Sequence, residues 1–198
     1  MTSDPSPPLM SRPRFLLLAG LVQGGVLLAA ILFGYAIGIS PFQIVMWDAR
    51  DLLWGLLAVV PMLVVYQSSP GLRRIALHSL GDSLSQCQWY DLVLLATLAG
   101  VGEELFFRGV LYEGLVMVHP WLALIASNVA FGLLHGLSWN YFLTTTAIGF
   151  GMHALAEVTG PRNLLAPIVA HSVYDYVAFR LLVREQRSDR SSERSGMS

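Results

Sequence analysis

Residues 15–39 run for 25 positions without a charged side chain, with Gln23 as the one strongly polar interruption. As an α-helix, such a run is long enough to cross the roughly 30 Å hydrocarbon core of a bilayer. Arg12 and Arg14 precede it, which is also the charge order of a secretory signal. A signal, however, has an apolar part of only about 7–15 residues that ends at a small-residue cleavage site. The run therefore predicts an uncleaved transmembrane helix. Further apolar segments follow at 52–66, 92–118, 121–137, 141–156 and 164–183. The weakest is 52–66, which is expected either to begin earlier, near Ile44, or to lie only partly embedded.

Only 13% of the chain is charged and 55% is hydrophobic, with a mean hydropathy of +0.59. Soluble domains carry about a quarter charged residues, so this chain has more apolar surface than a soluble fold could hide. The fold class expected is all-α: a polytopic transmembrane helical bundle of about six helices. All twelve basic residues are Arg. They gather before the first segment, between the second and third (Arg73, Arg74) and after the sixth, from Arg180 to Arg194. Arg50 and Arg162 are the basic residues of the intervening loops. The positive-inside rule then puts both termini in the cytoplasm, with the chain a multi-pass protein of the plasma (inner) membrane of a bacterium. No basic stripe rises above these flanking clusters, so no nucleic-acid partner is expected. The expected partners are the bilayer and a peptide or protein substrate at the membrane. Residues 1–14 and 184–198, polar and rich in Ser, are expected to be disordered. Residues 15–91 hold the N-terminal transmembrane helices and an amphipathic connector at 67–91. Cys87 is alone, which excludes an intrachain disulfide and a cysteine-based zinc site, and is expected to be an inert thiol.

Chemistry resides in the ionisable residues inside the apolar segments. Glu103, Glu104 and Arg108 fall within Ala99-Gly-Val-Gly-Glu-Glu-Leu-Phe-Phe-Arg-Gly109; His135 closes Phe131-Gly-Leu-Leu-His135; His171 and Asp175 lie in Ala170-His-Ser-Val-Tyr-Asp175. A charge at the centre of a membrane helix costs about 2.5–3.5 kcal/mol. These groups must therefore face one another or a watery cavity. Glu104 and Arg108 are one helical turn apart, with the acid on the N-terminal side, which suits an internal ion pair. Glu103 is rotated about 100° from Glu104 and is left without a local partner. His171 and Asp175, also four apart, can hydrogen-bond along one face. Three helices can then bring Glu103, His135 and His171 to one cavity. His78 and His119 fall at connector and loop positions and read as solvated, and His153 reads as helix packing.

A carboxylate and neutral imidazoles in a desolvated cavity can activate water and steady the oxyanion that forms when it attacks a carbonyl. Amide hydrolysis is the natural reaction class, with no cofactor required. Glu103, His135 and His171 could also hold a divalent metal such as zinc, and the sequence leaves that alternative open. His-Glu-x-x-His is absent, and so are the serine and paired-aspartate patterns of other intramembrane proteases. A different class, a non-catalytic membrane protein acting as scaffold, immunity factor, or proton or ion pathway, would also place ionisable groups inside the membrane.

Glu103-Glu104-x-x-x-Arg108, Phe131-x-x-x-His135 and His171-x-x-x-Asp175, in that order on successive segments, resemble the three signatures of the CAAX-protease and bacteriocin-processing (CPBP, Abi) family of intramembrane endopeptidases. The approach Thr159-Gly-Pro-Arg-Asn-Leu-Leu-Ala-Pro-Ile-Val-Ala-His171 is similar to that family's as well. The resemblance makes residues 92–183 a CPBP-like catalytic core. It implies a glutamate-dependent peptidase, like type 2 CAAX prenyl proteases, acting on a membrane-associated, prenylated or peptide-precursor substrate. By motif, Glu103 is the general base and His135 helps to bind or polarise the water. Glu104 pairs with Arg108 to hold the helix, while His171 and the residue four later form the oxyanion side. Prenyl-protein members have Asn at that last position, where this chain has Asp175. An ionised Asp cannot donate to an oxyanion, so Asp175 is expected to orient His171 or to be protonated.

Overall fold

The computed structural model describes residues 10–195. Among them there is no strand, and every apolar segment is helical. The helices are α1 (Arg12–Ala36), α2 (Ala49–Ser68), α3 (Pro70–Ala76), α4 (Asp82–Leu84), α5 (Trp89–Glu104), α6 (Tyr112–Val116), α7 (Pro120–Leu134), α8 (Trp139–Leu155) and α9 (Leu165–Ser195). Two of them, α1 and α2, are long and apolar enough to cross a membrane by length and composition alone. The segment expected to be weakest thus forms a 20-residue helix beginning at Ala49.

The apolar faces that no other helix covers are those lipid would cover. Leu17, Leu21, Leu28 and Leu32 of α1 are each more than half exposed, as are Leu53, Val60 and Val64 of α2. A contiguous apolar surface of that size is foreign to a soluble monomer. Large exposed aromatics mark the helix ends: Tyr35, Trp47 and Trp121 at one end of the bundle, Trp89, Tyr90 and Trp139 at the other. Tyr and Trp favour the two membrane–water interfaces in just this way.

The bundle is built around α9, with α5 and α2 packed along it; α1 covers the far side of α5, while α7 and α8 pair with each other and α8 reaches α9. Two glycines let α5 approach its neighbours closely. A Cβ on Gly100 would come within 2.8 Å of the Ser172 backbone nitrogen on α9, and one on Gly102 within 3.3 Å of the Gln23 carbonyl on α1. Gly100-Val-Gly102 is thus the contact that lets two helices reach the acidic pair beside it.

The ends of α9 are tied down separately. At its start, Asn163 Nδ2 donates to Asp51 Oδ2 at 2.6 Å and to the Met46 carbonyl at 2.7 Å, while Thr159 Oγ1 donates to Asp51 Oδ1 at 2.6 Å. Asp51, though 2% exposed, is therefore satisfied on both oxygens. At the other end, Asp82 Oδ1 accepts from Gln186 Nε2 and Arg190 Nη2, each at 2.6 Å. The expectation of a disordered tail from 184 is corrected there: α9 continues to Ser195 because its polar extension has partners in the connector. Residues 196–198 and 1–9 lie outside the described residues, while Arg12 and Arg14, placed in the disordered stretch, belong to α1. The connector folds as α3, a π-helical turn (Leu77–Gly81) and α4, burying Ala76, Leu84 and Cys87 against Leu92 and Leu182. Burial pushes the Cys87 thiol pKa up, which keeps it protonated and unreactive.

Candidate active site

The Glu103-Glu104 step stands at the junction of α5 with a π-helical turn, Leu105–Leu111, that runs on into α6. Such a turn within a helix is uncommon and is frequent at functional positions. Nothing in the residue pattern announces it.

Glu104 and Arg108 are both fully buried and pair at 3.0 Å between Oε1 and Nη1, as their spacing predicts. The pair has more partners than the helix period could give. His171 Nδ1 donates to the same Glu104 oxygen at 2.9 Å. Arg108 Nη2 donates to the Gly149 carbonyl at 3.2 Å and lies 3.4 Å from Asn128 Oδ1. The guanidinium stacks 4.2 Å from the Phe131 ring centroid, a favourable cation–π geometry. This gives the Phe of the second motif a physical role: its ring also meets the imidazoles of His135 and His171, at 4.7 and 6.0 Å between centroids. From the far side, Arg162 Nη2 donates to the Arg108 carbonyl at 3.0 Å and its Nε pairs with Glu113 at 3.0 Å.

Glu103 faces a different set. Its Oε1 accepts from Gln23 Nε2 of α1 at 3.0 Å, and its Oε2 lies 3.7 Å from His135 Nε2. The second distance is too long for a direct hydrogen bond. Glu103 Oε2 is buried and has no hydrogen-bond partner among the described residues. His135 Nδ1 sits 2.9 Å from the Phe131 carbonyl, an acceptor only, so Nδ1 carries the proton and Nε2 presents a lone pair toward Glu103. Two acceptors face each other across a gap, the arrangement a water can fill by donating a proton to each.

His171, from α9, joins the cluster through Glu104 and meets the same Phe131 ring as His135. Its Nε2 is 3.6 Å from Asp175 Oδ2, an ion-pair distance rather than the hydrogen bond expected along that face. Asp175 also lines a small cavity of about 90 Å³ with Tyr66, Tyr141 and Tyr174. Among the described residues, no three His, Cys, Asp or Glu side chains are grouped so as to hold a metal ion, so Glu103, His135 and His171 are not gathered as ligands. His153, read as packing, is buried edge-on to Tyr112 with centroids 4.5 Å apart.

Gln23 and Asn128 are the contributors that sequence reading passed over. Each is a strongly polar amide inside an apolar helix, a position that in lipid demands a partner.

The stretch from residue 85 to 177, which contains all six candidate residues, matches the family described as type II CAAX prenyl endopeptidase Rce1-like. Residues 85–177 carry an Rce1-like domain. The match agrees with the three motifs, and together with the apolar helices it supports a membrane protein. Over 160 residues it is 26% identical to the Bacillus subtilis (strain 168) protein titled "Uncharacterized protein YpbD", spanning 75% of this chain and 79% of that one. Over 55 residues it is 38% identical to the "UPF0177 protein YbdI" of Lactococcus lactis subsp. lactis (strain IL1403), covering 27% and 29% of the two chains. No solved structure matches. The Rce1-like domain begins just before α5 and ends within α9, so α1 and α2 pack against it from outside the matched stretch.

Proposed function

We propose that the protein is an intramembrane endopeptidase in which Glu103 activates the water that hydrolyses a peptide bond. The observation that carries this reading is the contrast in what the two adjacent carboxylates touch. Each carboxylate keeps a buried Oε2 without a hydrogen-bond partner among the described residues. Glu104, however, is paired with Arg108 and His171 through Oε1, while Glu103 has no cation beside it and turns its open oxygen to His135 Nε2 at 3.7 Å. A water donating to both is held for deprotonation by Glu103, and His135 fixes its orientation. The scissile carbonyl then gains negative charge on the side of His171, with Arg108 acting only from behind Glu104, where a low-dielectric site makes fixed groups most effective. No step requires a metal.

The substrate is a peptide delivered from the membrane, carrying a prenyl or other apolar anchor. An apolar groove of about 600 Å³ runs between α2 and α8, lined by Trp54, Leu57, Pro61, Met62, Ile148 and Leu155 among others. It shares Val65, Thr144 and Ile148 with the cavity at Asp175, which supports an approach from the lipid-facing surface toward that residue. Both termini lie in the cytoplasm on the arginine distribution.

The test uses detergent-solubilised protein with a farnesylated internally quenched peptide and an unmodified peptide library, wild type against Glu103→Gln, with and without a strong chelator. The expected outcome is cleavage that survives the chelator and disappears in the variant. Cleavage abolished by the chelator would assign the chemistry to a metal. Wild-type protein that cleaves no peptide supports the non-catalytic alternative instead.

A further inference from the structure

The first helix carries a residue that touches the acidic pair although it lies outside the matched domain. Gln23 is 80 positions before Glu103 in sequence, yet its Nε2 donates to Glu103 Oε1 at 3.0 Å. The amide is oriented by chemistry: turned over, it would set its carbonyl oxygen against a carboxylate, two acceptors with no proton between them. The approach is built into both backbones. Gly102 leaves the space in which the Gln23 carbonyl and Leu27 sit, 3.3–3.4 Å from where a Cβ would stand. Around Gln23, α1 is otherwise among the most lipid-exposed parts of the molecule, with Leu21 and Val22 each more than 60% exposed. An amide on such a helix is costly unless it finds a partner within the bundle.

Resting on the reading of Glu103 as the base, we propose that Gln23 is a positioning residue for catalysis, which holds one oxygen of Glu103 so that the other is directed at His135 and the reacting water. A carboxylate rotates readily about its last bond. Without a donor on Oε1, the plane of the carboxylate would be free to rotate, and the water would lose its fixed angle of approach. The N-terminal helix thus completes a site whose other residues lie in the Rce1-like domain.

The test compares wild type with Gln23→Met, Gln23→Asn and Glu103→Gln, using the peptide cleaved fastest in the preceding experiment. Met keeps the length of the side chain and removes the donor; Asn keeps the amide but falls one methylene short of Glu103. Both are expected to lower kcat by about 10–100-fold, the scale of a misplaced reacting group, with KM within about two-fold of wild type and thermal stability retained. A purely structural Gln23 predicts the opposite: Met, at home in lipid, would leave kcat intact. If Gln23→Met or Gln23→Asn keeps full kcat while Glu103→Gln is dead, the positioning role is wrong and the peptidase reading stands. If Glu103→Gln retains activity, or wild type has none, that reading fails and this role falls with it.

Discussion

Glu103 and Glu104 are consecutive in the chain and meet two different regions of the molecule. Around Glu104, five groups from four segments close on one another: Arg108 beneath it, His171 from α9, Phe131 and Asn128 from α7, and the Gly149 carbonyl from α8. Glu103 meets two side chains, Gln23 and His135, and keeps an oxygen in reserve. His135 itself is 30% exposed where Arg108 is not exposed at all. The comparison teaches that a step of one residue can separate a structural carboxylate from a reactive one. Pairing with a buried cation favours rigidity, and an open oxygen facing a partly exposed imidazole favours chemistry.

That division can be broken first at Glu103. Replacing it with Gln is expected to lower peptide cleavage by about 10⁴-fold, the upper range for a general base, while membrane insertion and thermal unfolding stay at wild-type values. Arg108→Ala strikes the other region. It strands a buried carboxylate, which costs about 3–5 kcal/mol of stability, so protein yield and melting temperature should both fall. Adding Glu104→Gln to that variant should recover part of the yield but not the activity. An Arg108→Ala protein with normal yield would show that the pair is not what holds this region together.

His135→Ala tests whether the boundary between the regions is sharp. Activity is expected to drop about 100-fold, as for loss of a group that orients the reacting water, with unchanged stability because the ring lies at the open edge. Gly100→Ala probes the packing that brings α9 to Glu104. The added methyl would press on the Ser172 backbone, which cannot swing aside as a side chain could; overpacking of this kind costs about 1–3 kcal/mol, readable by thermal unfolding. The smallest effect belongs to Arg190→Ala, far from both regions. Its pair with Asp82 is half exposed and should contribute no more than about 1 kcal/mol to thermal stability.

Much of this was legible from the amino acids. The six apolar segments became helices, and Glu104 to Arg108 became an ion pair, because both signals are local: length, hydropathy and a four-residue period. The likeness of residues 85–177 to an Rce1-like domain followed from three motifs in order. What stayed hidden depended on the register between helices. No spacing rule relates Gln23 to Glu103 or His171 to Glu104, which meet only because Gly102 and Gly100 let α1 and α9 come close. His171 and Asp175 share a face as their spacing requires, but an identical period does not fix the last half-ångström that separates a hydrogen bond from an ion pair. The polar end of α9 reads as disordered by composition alone, since its partners Asp82 and Ser85 sit about a hundred residues earlier.

The π turn at Leu105–Leu111 makes residue number itself a constraint. Such a turn holds one residue more than an α-helix would over the same rise. Deleting a single residue from 109–111 would keep the Glu104–Arg108 spacing and leave an ordinary α-helix over the same rise, whereas inserting one more would swing everything that follows by about 100°. After such an insertion Tyr112 and Glu113 would turn away from Arg162, which joins them to the Arg108 carbonyl. Relatives sharing this geometry should therefore tolerate a one-residue gap in this stretch, while an extra residue there should be rare.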